Sequence, residues 1–168
     1  MTTTSRTLTA GVWRADLTRS TASFKVSNLG RTATGTVPVT GGTVEIGPDG
    51  ALLAVHGTLD LGAIDTGIAK RDLDLRKPGL LDLDRHPTMT FTATTAFRVE
   101  GGWQVTGTLT ARGTSTELSG VAELSTVDGD TVMTATARLD RRTLGVRAPR
   151  FMIGRYVDIT VTAVVRPT

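Results

Sequence analysis

The sequence predicts an all-β domain, and three observations carry the prediction. Threonine is the most frequent residue, and along most of the chain it alternates with aliphatic residues at a period of two, as half-buried strands do. Glycine recurs beside aspartate, proline or a second glycine, the chemistry of tight turns. Helical periodicity is confined to one short charged stretch, "IDTGIAKRDLDLR", at residues 64–76. Roughly eight to ten strands joined mostly by tight turns make either an up-and-down barrel or a sandwich.

Taken in order, the first clear strand is "TASFKVSN", which puts Ala22, Phe24, Val26 and Asn28 on one face. "GGTVEIGPDGALLAVHGTLDL" is a hairpin with its turn at Gly47–Gly50. "TMTFTATTAFRVEGGWQVTGTLTA" is a second hairpin turning at Gly101–Gly102. Strict alternation there sets Met89, Phe91, Ala93, Phe97 and Val99 to one side, with Trp103, Val105, Leu109 and Ala111 on the return strand. A third hairpin, "ELSGVAELSTVDGDTVMTATARLD", turns at Asp128–Gly129 and shows Met133, Ala135, Ala137 and Leu139 as its apolar face. The last strand is "RYVDITVTAVV". The strand pattern runs from Val12 to Val165 without a linker, so residues 5–168 are read as a single domain. The inward faces mix few large residues with many small ones, among them Ala22, Ala93, Gly107, Ala111, Ala135 and Ala137. In a barrel these leave room for a ligand; in a sandwich they let two sheets approach. Periodicity alone does not separate the two.

Composition excludes several classes. A chain of 168 residues with 39% apolar and 21% charged residues can bury its own core. Cysteine is absent, which removes disulfides and thiolate sites. Residues 1–10 lack the apolar run of a secretory signal, and no stretch of membrane-spanning length follows, so the expected compartment is the cytoplasm. The isoelectric point near 9.9 reflects a net charge of only +3, from 19 basic and 16 acidic residues. With aromatics at 4%, the stacking surface and charge excess of a nucleic-acid binder are missing.

Chemistry-bearing residues are scattered. His56 and His86, the two histidines, lack metal-ligand spacing. Ser115 in "RGTSTEL" lacks the strand–elbow–helix setting of a hydrolase nucleophile. The carboxylates Asp72/Asp74 and Asp82/Asp84 are two apart, a spacing that points them away from each other in a helical turn. No catalytic set, metal site or cofactor is expected. Two charged clusters remain, the stretch at 64–76 and "LDRRTLGVRAPRFMIGRY" at 139–156. In the second, guanidinium groups interleaved with bulky apolar residues suit either the mouth of a pocket for an amphiphile or a loop whose arginines pair with Asp140 and Asp158.

Together these segments resemble the YceI-like family. "LGAIDTGIAKRDLDLRKPGLLDLDRHPTMTFTAT" matches its signature at Asp65, Thr66, Gly67, Arg71, Asp72, Leu75, Pro87 and Phe91. "WRADLTRSTASFKVSNLGRTATGTV" resembles its opening, and "GTLTARGTSTELSG" and "ARLDRRTLGV" with "IGRYVDITV" resemble its closing motifs. Arg19 stands where the family often has histidine, and Val37 where phenylalanine is common. Many relatives are periplasmic. The resemblance implies an extended antiparallel lipocalin-like β-barrel of about eight main strands, with short capping helices around residues 66–84 and a long apolar cavity for a polyisoprenoid or other long-chain lipid.

Expected sites follow from the alternation and the resemblance together. Phe24, Val26, Phe91, Leu109 and Met133 are expected in the cavity wall, with Ile64, Ile68 and Leu75 dipping in from the cap. Leu144, Val146, Phe151 and Ile153 are expected to join them from the arginine-rich stretch. Arg71, Arg142 and Arg147 are candidates for an anionic head group. Asp65, Thr66, Asp72, Asp140 and Arg141 are read as structural, with Asp65 or Thr66 capping the helix that follows. Arg71 has two readings, anchoring the cap or meeting the head group.

The expected function is non-catalytic binding of such a lipid, for carriage, storage or sequestration. The alternatives are an enzyme acting on a lipid or isoprenoid in the same cavity, and an interaction module with a filled interior. A homodimer is one expectation for its assembly. At about 0.8 kcal/mol per buried CH₂, a tail of about forty carbons would exceed the ceiling on noncovalent affinity, so apolar residue counts do not set the tail length.

Overall fold

The computed structural model describes residues 4–5, 8–28, 30–146 and 154–168. In chain order the strands are β1 (Thr4–Ser5), β2 (Gly11–Ala15), β3 (Thr21–Asn28), β4 (Arg31–Ile46) and β5 (Leu52–Asp60). The helix α1 (Ala69–Leu75) precedes β6 (Thr88–Val99), β7 (Gly102–Ala111), β8 (Thr114–Val127), β9 (Asp130–Asp140) and β10 (Tyr156–Pro167). From β4 to β10 each strand pairs antiparallel with the next. β10 then pairs with both β2 and β3, which also pair with β4. Counting β2 and β3 as one interrupted strand, the sheet closes into an eight-stranded antiparallel barrel. Closure decides between the two architectures the periodicity allowed, and it removes the free edges a sandwich would keep.

The interruption is chemically complete. Asp16 donates its N–H to the Val164 carbonyl at 2.7 Å, and its Oδ1 accepts from the Thr18 N–H at 3.1 Å. Ser20 donates its hydroxyl to the Asp16 carbonyl and accepts the Val164 N–H, so the backbone groups released by the break find partners.

Two irregularities reset which residues face inward. In β4 the pairing shifts between Val39 and Gly41, so Val37 and Val39 point inward before the shift and Val44 and Ile46 after it. In β6 it shifts between Ala93 and Thr95. Strict alternation placed Phe97 with Met89 and Phe91; the extra residue turns it outward, and it is 59% exposed while Ala96 takes the inner position. Gly107 lies opposite the bulge. A Cβ there would sit 2.3 Å from the Thr92 carbonyl oxygen and 2.6 Å from the Ala93 Cβ, so only glycine permits this approach.

Connections alternate between the two ends. One end carries the hairpin turns at residues 47–51, 100–101 and 128–129. Asp128 (φ 50°) and Gly129 (φ 85°) both adopt the left-handed conformation that a two-residue turn between twisted strands requires. The other end carries the β7–β8 turn at Arg112–Gly113, the 61–87 segment and the connection from β9 to β10. Helical structure in the 61–87 segment is shorter than the expected 66–84. A 3-10 turn covers Leu61–Ala63 and α1 covers Ala69–Leu75. Pro78 and Gly79 oppose further helix, and turns lead to β6.

Two apolar clusters fill the barrel near its ends. At the capped end Leu61 and Leu83, each 1% exposed, pack with Val37, Leu144 and Val146. At the turn end Trp13 packs with Leu8, Ile46, Leu52 and Leu124, its indole N–H bound to the Thr9 carbonyl at 2.9 Å.

Candidate functional site

Between the two clusters lies an apolar cavity of about 140 Å³. Met89, Phe91, Leu109 and Leu118 border it from the capped-end cluster, and Val44, Val105, Ala122 and Met133 from the turn-end cluster. Phe91 packs against both clusters. Among the described residues of the lining, His56 alone is titratable. Its side chain is exposed and its Nδ1 lies 2.9 Å from Thr92 Oγ1.

The cavity exists because small residues stand where large ones would meet. Ala135 and Ala137 on β9 and Gly120 on β8 thin one wall. On the opposite side Gly42 and Gly57 pair directly across β4 and β5, and Gly57 pairs in turn with Phe91. A Cβ on Gly57 would meet no atom within 4 Å. Its pairing puts that direction on the same face as Phe91, into the cavity.

The cap is held by polar contacts to backbone. Asp65 and Thr36 exchange two backbone hydrogen bonds, at 2.9 and 3.0 Å, which ties the start of the cap to β4. Asp65 Oδ1 accepts the Gly67 N–H at 2.8 Å. Asp72 Oδ1 reaches back to accept both the Thr66 N–H, at 3.1 Å, and the Thr66 hydroxyl. Arg71 Nη2 donates to the Thr66 carbonyl at 2.9 Å. The expectation that Asp65 or Thr66 caps α1 is therefore corrected. Gly67 turns the chain at φ 80°, the helix starts later with Ile68 at the N-cap position, and no side chain caps it. The motif is a clamped turn ahead of the helix.

The arginine-rich stretch is held in the same way. Arg141 is buried and donates to the carbonyls of Gly154 and Val146 at 2.9 and 2.8 Å. Asp140 accepts from the Arg142 N–H and pairs with the guanidinium groups of Arg142 and Arg155. Desolvation pushes the Asp140 carboxyl up, but bonds from Arg142 and Arg155 outweigh it and hold the pKa down at about 2. Arg112 spans the end, donating to the Leu144 and Pro78 carbonyls and so linking three connections.

The expected site residues divide accordingly. Phe91, Leu109 and Met133 line the cavity. Leu144 and Val146 belong to the capped-end cluster, and Phe24, Ile64 and Leu75 pack against it. Val26 is half-buried near the capped end, beside a shallow surface groove. Ile68 does not dip inward: it is 52% exposed, since Ile64 and Leu75 already occupy the space beneath the cap. Arg71 and Arg142 are engaged by the Thr66 carbonyl and the Asp140 carboxylate. Phe151, Ile153 and Arg147 lie outside the described residues. Sequence reasoning missed Gly57 and Arg112. A lone glycine inside "AVHGTLD" is a signal for the first, since glycine mid-strand marks a place where something approaches the backbone. The reach of Arg112 has no local signal.

Solved structures share this fold. BcnA of Burkholderia cenocepacia superposes with a TM-score of 0.78 at 16% identity, covering 90% of this chain and 99% of that one. A polyisoprenoid-binding domain from Saccharophagus degradans, implicated in plant cell wall breakdown, gives 0.69 at 14% identity, over 93% of this chain and 98% of that one. A UPF0312 protein of Pectobacterium atrosepticum is 36% identical over 59 residues, which span 35% of this chain and 31% of that protein. Residues 13–165 match the YceI-like domain, so with the closed barrel and its apolar interior the chain belongs to the YceI-like family.

Proposed function

We propose that the barrel binds the apolar tail of a long-chain amphiphilic lipid, most simply a polyisoprenoid, and carries, stores or sequesters it without acting on it chemically. The observation that carries this reading is the apolar space between two packed ends, bordered by Phe91, Leu109 and Met133 and kept open by Gly57. Family membership and the fold shared with a polyisoprenoid-binding domain support it.

Magnitude shapes the proposal. The cavity of about 140 Å³ is close to the ~150 Å³ of an engineered void that holds benzene. It is smaller than the ~300–1,000 Å³ of common ligand sites. A long tail therefore enters only as Met89, Phe91 and Met133 swing aside. Methionine, unbranched and with soft torsions, suits that task. Arg71 and Asp72 serve the cap in this reading.

The test is Gly57→Leu, read by displacement of a fluorescent fatty acid or polyprenyl probe. The glycine backbone is not in the left-handed region, so a leucine fits without strain and fills the cavity. The expected outcome is a native melting curve with probe binding reduced by about tenfold or more, roughly the share of affinity carried by a few buried methylenes. Unchanged binding in Gly57→Leu would overturn the assignment of this cavity.

A further inference from the structure

We infer that the capped end of the barrel is a docking face for an anionic lipid bilayer, with the exposed side chains of Ile68 and Leu73 entering the interface. The inference rests on the lipid-binding reading above, because a cargo that lives in membranes must be collected there. Two features mark this end only in combination, since Phe97 (59% exposed) and Leu53 (43%) leave apolar side chains outside toward the turn end as well.

The first is apolar exposure where packing does not require it. Leu73 on α1 is 67% exposed and Ile68, just before the helix, is 52% exposed. Lys70 lies between them and Lys77 just beyond α1, both exposed. Lys77 is paired with Asp74, while Lys70 makes no ion pair among the described residues. Leucine and isoleucine beside lysines, with Asp72 and Asp74 engaged by Thr66 and Lys77, suit a segment that lies in a membrane interface, apolar groups inserted and amines against phosphates.

The second is the polarity of the whole barrel. The connections at the capped end, over residues 61–87, 112–113, 140–146 and 154–155, hold nine lysines and arginines against six aspartates, Asp140 pairing Arg142 and Arg155. The three hairpin turns at the opposite end carry Asp49, Glu100 and Asp128 and no cation. A negatively charged surface attracts the capped end more strongly than the turn end, where Arg19 and Arg166 are paired with Asp130 and Asp16, and this orients the molecule cap-first. That orientation brings Ile68 and Leu73 to the bilayer and sets the cap between membrane and cavity.

The test is co-sedimentation with vesicles of phosphatidylcholine alone and of phosphatidylcholine mixed with phosphatidylglycerol. The expected result is binding to the mixed vesicles, weakening as salt rises. Leu73→Glu and Lys70→Glu should each reduce it by about fivefold or more, near the contribution of one basic or apolar side chain at a charged surface. Asp128→Asn, at the far end, should leave it unchanged. Because all three positions are exposed, the variants should melt as the native protein does. Absence of binding to the mixed vesicles overturns the inference, as does a Leu73→Glu variant that binds like the native protein. Gly57→Leu, with its cavity filled, should still dock, and Leu73→Glu should still bind a soluble probe. Failure of the docking face and failure of the cavity therefore appear in different assays.

Discussion

At one end of the barrel three hairpins close in tight turns whose residues need no help from the rest of the chain. At the other, residues 61–87 cross back over the strands and are held by side chains reaching backbone groups far along the sequence. Asp128–Gly129 makes its turn by local conformation alone. The cap depends on Asp72 clamping Thr66, on Arg76 reaching the Gly62 carbonyl, and on Arg112 bonding the Pro78 carbonyl 34 residues away. Local geometry suffices where strands only need to reverse. Where a surface must cover an apolar interior, the chain uses charge-assisted bonds to satisfy carbonyls that have no ladder to join.

The largest effect that sharpens this contrast is expected at Leu61, buried under the cap. Leu61→Ala should cost about 2–5 kcal/mol in urea unfolding and also speed amide exchange across residues 64–76. Leu52→Ala, in the turn-end cluster, should cost a similar amount and leave exchange in the cap slow; equal loosening of the cap by both would break the contrast. Asp72→Ala comes next, since it strands two donors of Thr66. A loss of about 1–3 kcal/mol is expected in thermal melts, with Arg71→Ala losing less. Native-like melting of Asp72→Ala would show the clamp to be idle. Gly129→Ala should cost about 1 kcal/mol through its left-handed conformation and leave cap exchange untouched.

Acid gives the smallest effect, because the groups involved are partly solvated. Asp140 has its carboxyl held down at about 2, below the ordinary ~3.9 of the unfolded chain. Its contribution is therefore complete above about pH 4 and is lost as pH falls toward 2. At the turn end, Arg19 holds Asp130 below its ordinary value, so loss in the same direction is expected there. Urea midpoints at pH 5 and pH 2.5 should differ less in Asp140→Asn than in the native protein. An equal difference would remove Asp140 from the account.

How much of this was legible in the sequence follows the same division. The turns at Gly47–Gly50 and Asp128–Gly129 could be read because turn chemistry is local. Most inward residues could be read because alternation is strict, as it is along β9. Phe97 could not, since a bulge at Thr94–Thr95 shifts the parity and nothing in the threonine run marks the extra residue. The cap was recognisable by its motif at residues 64–76, but its internal bonding was not. Helix-capping reasoning assigns Asp65 and Thr66 to α1, whereas the observed contacts run from Asp72 back to Thr66 and from Asp65 across to Thr36 on β4. Such contacts depend on how the ends of the barrel meet, which periodicity does not encode. The cavity was legible as a surplus of small residues, and its location was not.

Gly57 leaves a space that the rest of the interior does not fill. Protein interiors are otherwise packed as densely as organic crystals, so the atoms around such a void lack dispersion partners on one side. An empty barrel is therefore less stable than the same barrel with its interior occupied. A tail that fills the space supplies those contacts to the folded chain and not to the unfolded one. At a hundredfold excess over its dissociation constant, that linkage amounts to about 2.7 kcal/mol. With such a tail as cargo, occupancy would set lifetime as well as content, and vacant molecules are expected to be lost first under heat or protease.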